Sequence, residues 1–253
     1  MTEVLLTGRG LLESPRWHDG RLYFSDWSAG EVLALDGQVE VVARVASLPL
    51  CTEFLPDGRL LIVSSADGRV LDGTLATYAE LGPGAWNDIA VDGRGNAYVN
   101  SVDLTGGPGT VHLVTPDGEV RQVAGDLAFP NGMAVTAGTL IVAESYGHRL
   151  TAFDIDADGG LSHRRVWADL GDGVPDGIAV AADGAVWYAD VPNKQCALVA
   201  EGGVVLRTID LDRGAFACAL NETTLFVVAA QWRGMTEADM VTPGSGQVLA
   251  VPL

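Results

Sequence analysis

Four oxygen-bearing side chains, Glu13, Asn87, Asn131 and Asp176, each stand nine or ten residues ahead of a short apolar run. The runs are Leu22-Tyr23-Phe24, Ala97-Tyr98-Val99, Leu140-Ile141-Val142 and Val186-Trp187-Tyr188. Two carboxylates and two amides are the donor set of a hard divalent cation. Brought to one point they would hold one such ion, with calcium the leading expectation and zinc, manganese or magnesium the alternatives. Taken singly, Asn87, Asn131 and Asp176 also read as turn or cap residues, and Pro130-Asn131-Gly132 and Pro175-Asp176-Gly177 have turn chemistry. Glu13 fits a turn less well. The shared phase is what favours a metal site over four unrelated turns.

That phase belongs to an internal repeat. Leu60-Leu61-Ile62 and Leu225-Phe226-Val227 extend the set to six runs, spaced 38, 37, 43, 46 and 39 residues apart. Units of this length, rich in strand signals and in Asp-Gly turns, predict an all-β fold. The expected architecture is a six-bladed β-propeller with four-stranded antiparallel blades. The N-terminal segment Thr2 to Leu6 is expected to add the outer strand of the last blade and close the ring, which removes an exposed edge. Residues 1–253 are read as one propeller domain. In such a ring the innermost strands run together along the axis, so equivalent residues converge. The end of each second strand returns to the same face. Trp27, Asp103, Tyr146, His148 and the segment from Gln231 to Ser245 should therefore rim the face that carries the four donors.

The other two units offer Leu50 or Cys51, and Ala215 or Phe216, at the same phase. One side of the axis is polar and the other apolar, which suits a small substrate lying against a metal. Glu53 is a candidate substrate contact, and equally a paired structural carboxylate. Asp88 should face away from Asn87 if the strand alternates. His148 is the histidine that topology brings near the site, as an acid or base or as a rim residue facing solvent. Trp232 on the loop 231–245 could contact substrate, with that loop either a lid or a surface excursion. Cys51, Cys196 and Cys218 show no CxxC pair, so neither a disulfide framework nor a zinc knuckle is expected.

A formal net charge of −18 argues against nucleic acid and anionic membrane as partners. No apolar run approaches the ~18 residues of a membrane span. The first residues lack the basic and apolar regions of a signal peptide. A cytoplasmic monomer or weak homo-oligomer acting on a small molecule is the expectation.

At Glu13-Ser14-Pro15-Arg16-Trp17, Asn87-Asp88-Ile89-Ala90-Val91-Asp92, Pro130 to Val135, Ala143-Glu144-Ser145, Pro175 to Val180, Phe216 to Leu220 and Gly246 to Leu249, the chain resembles the SMP-30/gluconolactonase/luciferin-regenerating-enzyme-like family. The resemblance runs over nearly the whole chain. It implies a six-bladed propeller with one axial divalent metal, and hydrolysis of lactones, often sugar lactones. Glu13, Asn131 and Asp176 match protein metal ligands. Asn87 matches an asparagine that binds metal, substrate or both. Two positions depart from the pattern. Ser14 replaces a glycine, and Ala85 replaces an arginine that contacts sugar in some members. The resulting expectation is a metal-dependent lactonase in which Asp176 ligates the ion and takes a proton from the attacking water. A water acidified by the ion itself is the alternative. The rival activities are promiscuous hydrolysis of aryl esters or phosphotriesters, and non-catalytic binding of a metal and a ligand.

Overall fold

The computed structural model describes residues 2–235 and 240–253. It forms six antiparallel sheets of four strands each, arranged as blades around an axis. After β1 (Glu3–Arg9), the first blade holds β2 (Leu12–His18), β3 (Arg21–Asp26), β4 (Glu31–Leu35) and β5 (Val39–Arg44). The second holds β6 (Leu50–Phe54), β7 (Leu60–Ser64), β8 (Arg69–Asp72) and β9 (Thr77–Glu80). The third holds β10 (Ala85–Val91), β11 (Ala97–Val102), β12 (Gly109–Val114) and β13 (Val120–Leu127). The fourth holds β14 (Pro130–Thr136), β15 (Thr139–Glu144), β16 (Arg149–Ile155) and β17 (Leu161–Asp169). The fifth holds β18 (Pro175–Val180), β19 (Val186–Asp190), β20 (Gln195–Val199) and β21 (Val205–Asp210). The sixth holds β22 (Gly214–Leu220), β23 (Thr224–Ala230) and β24 (Gly246–Pro252), completed by β1. β1 pairs with β24 from Glu3 opposite Ala250 to Arg9 opposite Gly246, so the N-terminal strand closes the ring as expected. The helical element among the described residues is one 3-10 turn, Ser145–Gly147. No helix there is long and apolar enough to cross a membrane.

Each blade is sandwiched between two others, which explains why the second strands are apolar throughout rather than alternating. Successive side chains of a strand point to opposite faces. In β19, Val186 and Tyr188 join the cluster shared with blade four, while Trp187 and Ala189 join the cluster shared with blade six. Each of the six junctions between neighbouring blades has such a cluster. The junction that closes the ring packs Phe24 and Leu33 of blade one against Phe226 and Val228 of blade six. Trp17 stacks on Phe226 there, with ring centroids 5.0 Å apart.

Candidate metal and substrate site

The inner strands are not regular where the four donors lie. Pairing slips between Glu13 and Arg16 in β2, Trp86 and Ile89 in β10, Pro130 and Met133 in β14, and Pro175 and Ile178 in β18. β22 slips between Ala215 and Ala217, whereas β6 pairs without interruption. A bulge re-aims side chains and breaks the simple alternation of a strand. The repeated bulge turns Glu13, Asn87, Asn131 and Asp176 toward the axis. It also overturns the expectation that Asp88 faces away from Asn87, since both line the axial cavity.

Close approach of the backbones explains the glycines that follow two of the donors. A Cβ on Gly132 would lie 2.6 Å from the Asp176 carbonyl oxygen, and one on Gly177 would lie 2.3 Å from the Ala217 Cβ. These residues sit in strands, so their glycines serve inter-strand contact rather than turns. Ser14 is the converse case. Its backbone has φ 53°, a left-handed conformation that a glycine adopts without strain. Its hydroxyl donates to the Thr52 carbonyl at 3.1 Å and accepts from the Thr52 N–H at 2.9 Å. Those bonds tie β2 to β6 and offset the strain of a side chain where the family pattern has none.

Hydrogen bonds join β10, β14 and β18 at the donors. The Asn87 amide nitrogen donates to Asn131 Oδ1 at 3.0 Å. The Asn131 amide nitrogen donates to Ser145 Oγ at 3.3 Å, and that hydroxyl donates to the Pro175 carbonyl at 2.7 Å. Glu13 accepts from the Ser14 N–H at 3.0 Å. The cavity at this point measures ≈ 10 Å³, the room of about one water-sized sphere. Burial foremost, with the Asp88 charge adding to it, pushes the Glu13 carboxyl up to about 8, against the pull of the Ser14 N–H and Arg16. Burial, then the charges of Glu13, Asp88 and Asp190, push Asp176 well above the usual carboxylate range. Two carboxyls are thus crowded beside two amide oxygens, and a divalent cation would relieve their repulsion. By donor type, count and room, the residues fit one such ion.

Beneath the donors lies a charged layer that sequence reasoning did not anticipate. Arg16 Nε donates to Glu53 Oε2 at 2.6 Å, and Nη2 donates to Asp88 Oδ1 at 3.1 Å and to the Ile89 carbonyl at 2.9 Å. Asp88 Oδ2 accepts the Met133 N–H at 2.8 Å. Asn100 Oδ1 accepts the Asp88 N–H at 2.9 Å, and the Asn100 amide donates to the Asn131 carbonyl. This layer joins the inner strands of blades one to four. Glu53 lines a depression of ≈ 300 Å³ at the opposite mouth, on the far side of Arg16 from the donors. β6 carries no bulge, so two residues beyond Cys51 the strand has descended a level. Glu53 is therefore the paired structural carboxylate, and the substrate contact expected of it does not fit this placement.

The rim residues separate in a similar way. His148 caps the 3-10 turn with φ 51° and its Nδ1 donates to the Gly173 carbonyl at 2.9 Å, which engages it in holding a loop. No hydrogen bond joins it to the four donors. Trp232 packs edge-on against Phe216 of β22, with centroids 5.7 Å apart. Met235 of the same loop reaches the Tyr146 hydroxyl of blade four at 3.8 Å. Trp232 and Met235, in the segment from Gln231 to Ser245, thus lie on the donor-bearing face, as the strand order predicted; residues 236–239 of that segment lie outside the described residues.

A six-bladed propeller with an oxygen-donor cluster on its axis defines a class, and comparison with known proteins places the chain within it. Residues 11–231 match the SMP-30/Gluconolactonase/LRE-like region, and the chain belongs to that family. A pentonolactonase of Haloferax volcanii is 25% identical over 240 residues, covering 80% of this chain and 81% of its own. A calcium-binding regucalcin from Agrobacterium tumefaciens superposes with a TM-score of 0.82 at 21% identity, over 99% of this chain and 93% of its own. A gluconolactonase from Xanthomonas campestris superposes with a TM-score of 0.79 at 23% identity, over 100% of this chain and 89% of its own. These structural likenesses establish the fold.

Proposed function

We propose that the protein is a metal-dependent hydrolase that opens lactones. The observation that carries the reading is the gathering of Glu13, Asn87 and Asn131 around one ion-sized cavity, with Asp176 beside it in reach of the Glu13 charge and the Asn131 side chain, in a family whose relatives include a pentonolactonase and a gluconolactonase. Glu13, Asn131 and Asp176 would hold a divalent cation, calcium foremost, with Asn87 completing the set or holding substrate. When bound, such an ion would supply Lewis acidity toward the lactone carbonyl. In this reading Asp176 would take a proton from the attacking water and return it to the departing ring oxygen. Burial and the charges of Glu13 and Asp88 raise its proton affinity in the metal-free protein, and a bound cation would lower it again. Arg16 and Asp88 hold the floor of the site, and Trp27 and Cys51 form its wall.

The test is a lactone panel assayed on protein stripped by chelator and then reloaded with Ca²⁺, Mn²⁺ or Zn²⁺. Hydrolysis should vanish on stripping and return on reloading, to a different extent with each ion. Full activity in a verified metal-free sample would exclude the reading. Turnover of aryl esters or phosphotriesters without lactones would assign the same site to the rival hydrolase.

A further inference from the structure

A groove of ≈ 550 Å³ lies between blades six and one. Trp27 lines both this groove and the axial cavity, so the two adjoin at its ring. The indole nitrogen of Trp27 is committed to the Leu50 carbonyl at 2.6 Å. The ring therefore has no donor left for a substrate. Leu11, Ala29, Leu48 and Met240 supply further apolar wall.

The polar groups of this groove are bonded to one another. Arg9 pairs with Glu31 at 3.1 Å and approaches Asp26 at 3.8 Å. Asp26 accepts the Ala29 N–H at 3.2 Å, and the Ser28 hydroxyl accepts the Leu11 N–H at 2.9 Å. Leu48 is 53% exposed and forms the ridge between this groove and a second one of ≈ 480 Å³. The second groove contains Ala85, where some relatives have a sugar-contacting arginine, and Leu104, which is 67% exposed. Large apolar side chains left in water beside a catalytic mouth are the mark of an apolar ligand.

We infer that the preferred substrates are lactones bearing a straight apolar chain, with the ring over Glu13, Asn87, Asn131 and Asp176 and the chain laid past Trp27 against Leu48. This rests on the lactonase reading and narrows it to a substrate class. Each methylene moved from water to an apolar wall contributes a factor of about four.

The experiment uses the metal-loaded protein and a series of γ-lactones with alkyl chains of increasing length, beside gluconolactone. The expected result is a kcat/KM that climbs about fourfold per methylene over the first several carbons and then levels off, with gluconolactone poorer than the longer members. Leu48→Glu sets a charge on the ridge, and Ala29→Phe fills the groove. Each should lower the ratio of kcat/KM for the longest over the unsubstituted lactone by at least about fivefold, and melting curves would verify that both variants are folded. A kcat/KM independent of chain length, or a ratio unmoved in both folded variants, would overturn the inference while leaving the lactonase reading intact. If no lactone is hydrolysed, the reading beneath it fails as well.

Discussion

Replacement of Arg16 by leucine tests whether the charged layer is what seats the donors. The guanidinium is the shared cation of Glu53 at 2.6 Å and Asp88 at 3.1 Å, and the side chains of the three are 16%, 21% and 11% exposed. Arg16→Leu takes the cation from both carboxylates and leaves them only backbone N–H partners. Breaking a buried pair from one side costs about 3–5 kcal/mol. For a chain of this size each kcal/mol lowers Tm by about 2–4 °C, so the fall should be about 6–20 °C. Glu53 keeps the Phe54 N–H and Asp88 the Met133 N–H, each at 2.8 Å, but neither keeps a cation. The double variant Arg16→Leu with Glu53→Leu should therefore recover part of the loss, because only Asp88 is then stranded. Asp88 adjoins Asn87, and through Asn100 its backbone is tied to Asn131. Metal affinity should fall in the single variant along with stability. Thermal melts followed by circular dichroism, with and without saturating Ca²⁺, give both quantities. A Tm within 2 °C of the parent would refute the argument, as would a double variant less stable than the single one.

Metal affinity should also depend on pH in a defined direction. In the metal-free protein Glu13 titrates at about 8 against an ordinary value of 4.5, and Asp176 is raised as well. A folded value above the unfolded one means that the native state binds the proton more tightly. The stability so gained is complete below the unfolded value and is lost as pH rises through about 8. A cation must displace these protons, so its apparent affinity should rise by up to about tenfold per pH unit per proton until about pH 8. Calorimetric titrations at three pH values would check this, and a flat affinity would contradict it. Asp176→Asn separates ligand from base: with metal restored at high concentration, kcat should stay low by roughly 10²-fold. Near-parental kcat at full occupancy would assign the proton transfer elsewhere.

Much of the architecture follows from local rules. Asp-Gly turns between apolar runs specify hairpins, and the recurrence of six such units specifies a ring in which equivalent residues share an axis. Because the repeat phase is one-dimensional, Glu13, Asn87, Asn131 and Asp176 could be matched without coordinates. The apolar second strands follow from blades covered on both faces. Ring closure by β1 follows from the edge that β24 would otherwise expose.

What tertiary structure decided was direction and distance. Asp88 was expected to point away from Asn87, because strands alternate. A bulge, fixed by how neighbouring strands pair, brings it into the cavity instead. Glu53 shares the axis with the donors but lies a level below them, because β6 lacks that bulge, and Arg16 then claims it. Gly132 and Gly177 read as turn residues until the separation of adjacent inner strands showed that no Cβ fits. Ser14 departs from the family pattern for a reason visible only in its backbone angle and its bonds to Thr52. The groove beside Trp27 is built from blades six and one, at opposite ends of the chain. Sequence spacing carries the period of a repeat, but strand register and the packing of distant segments set where each side chain points.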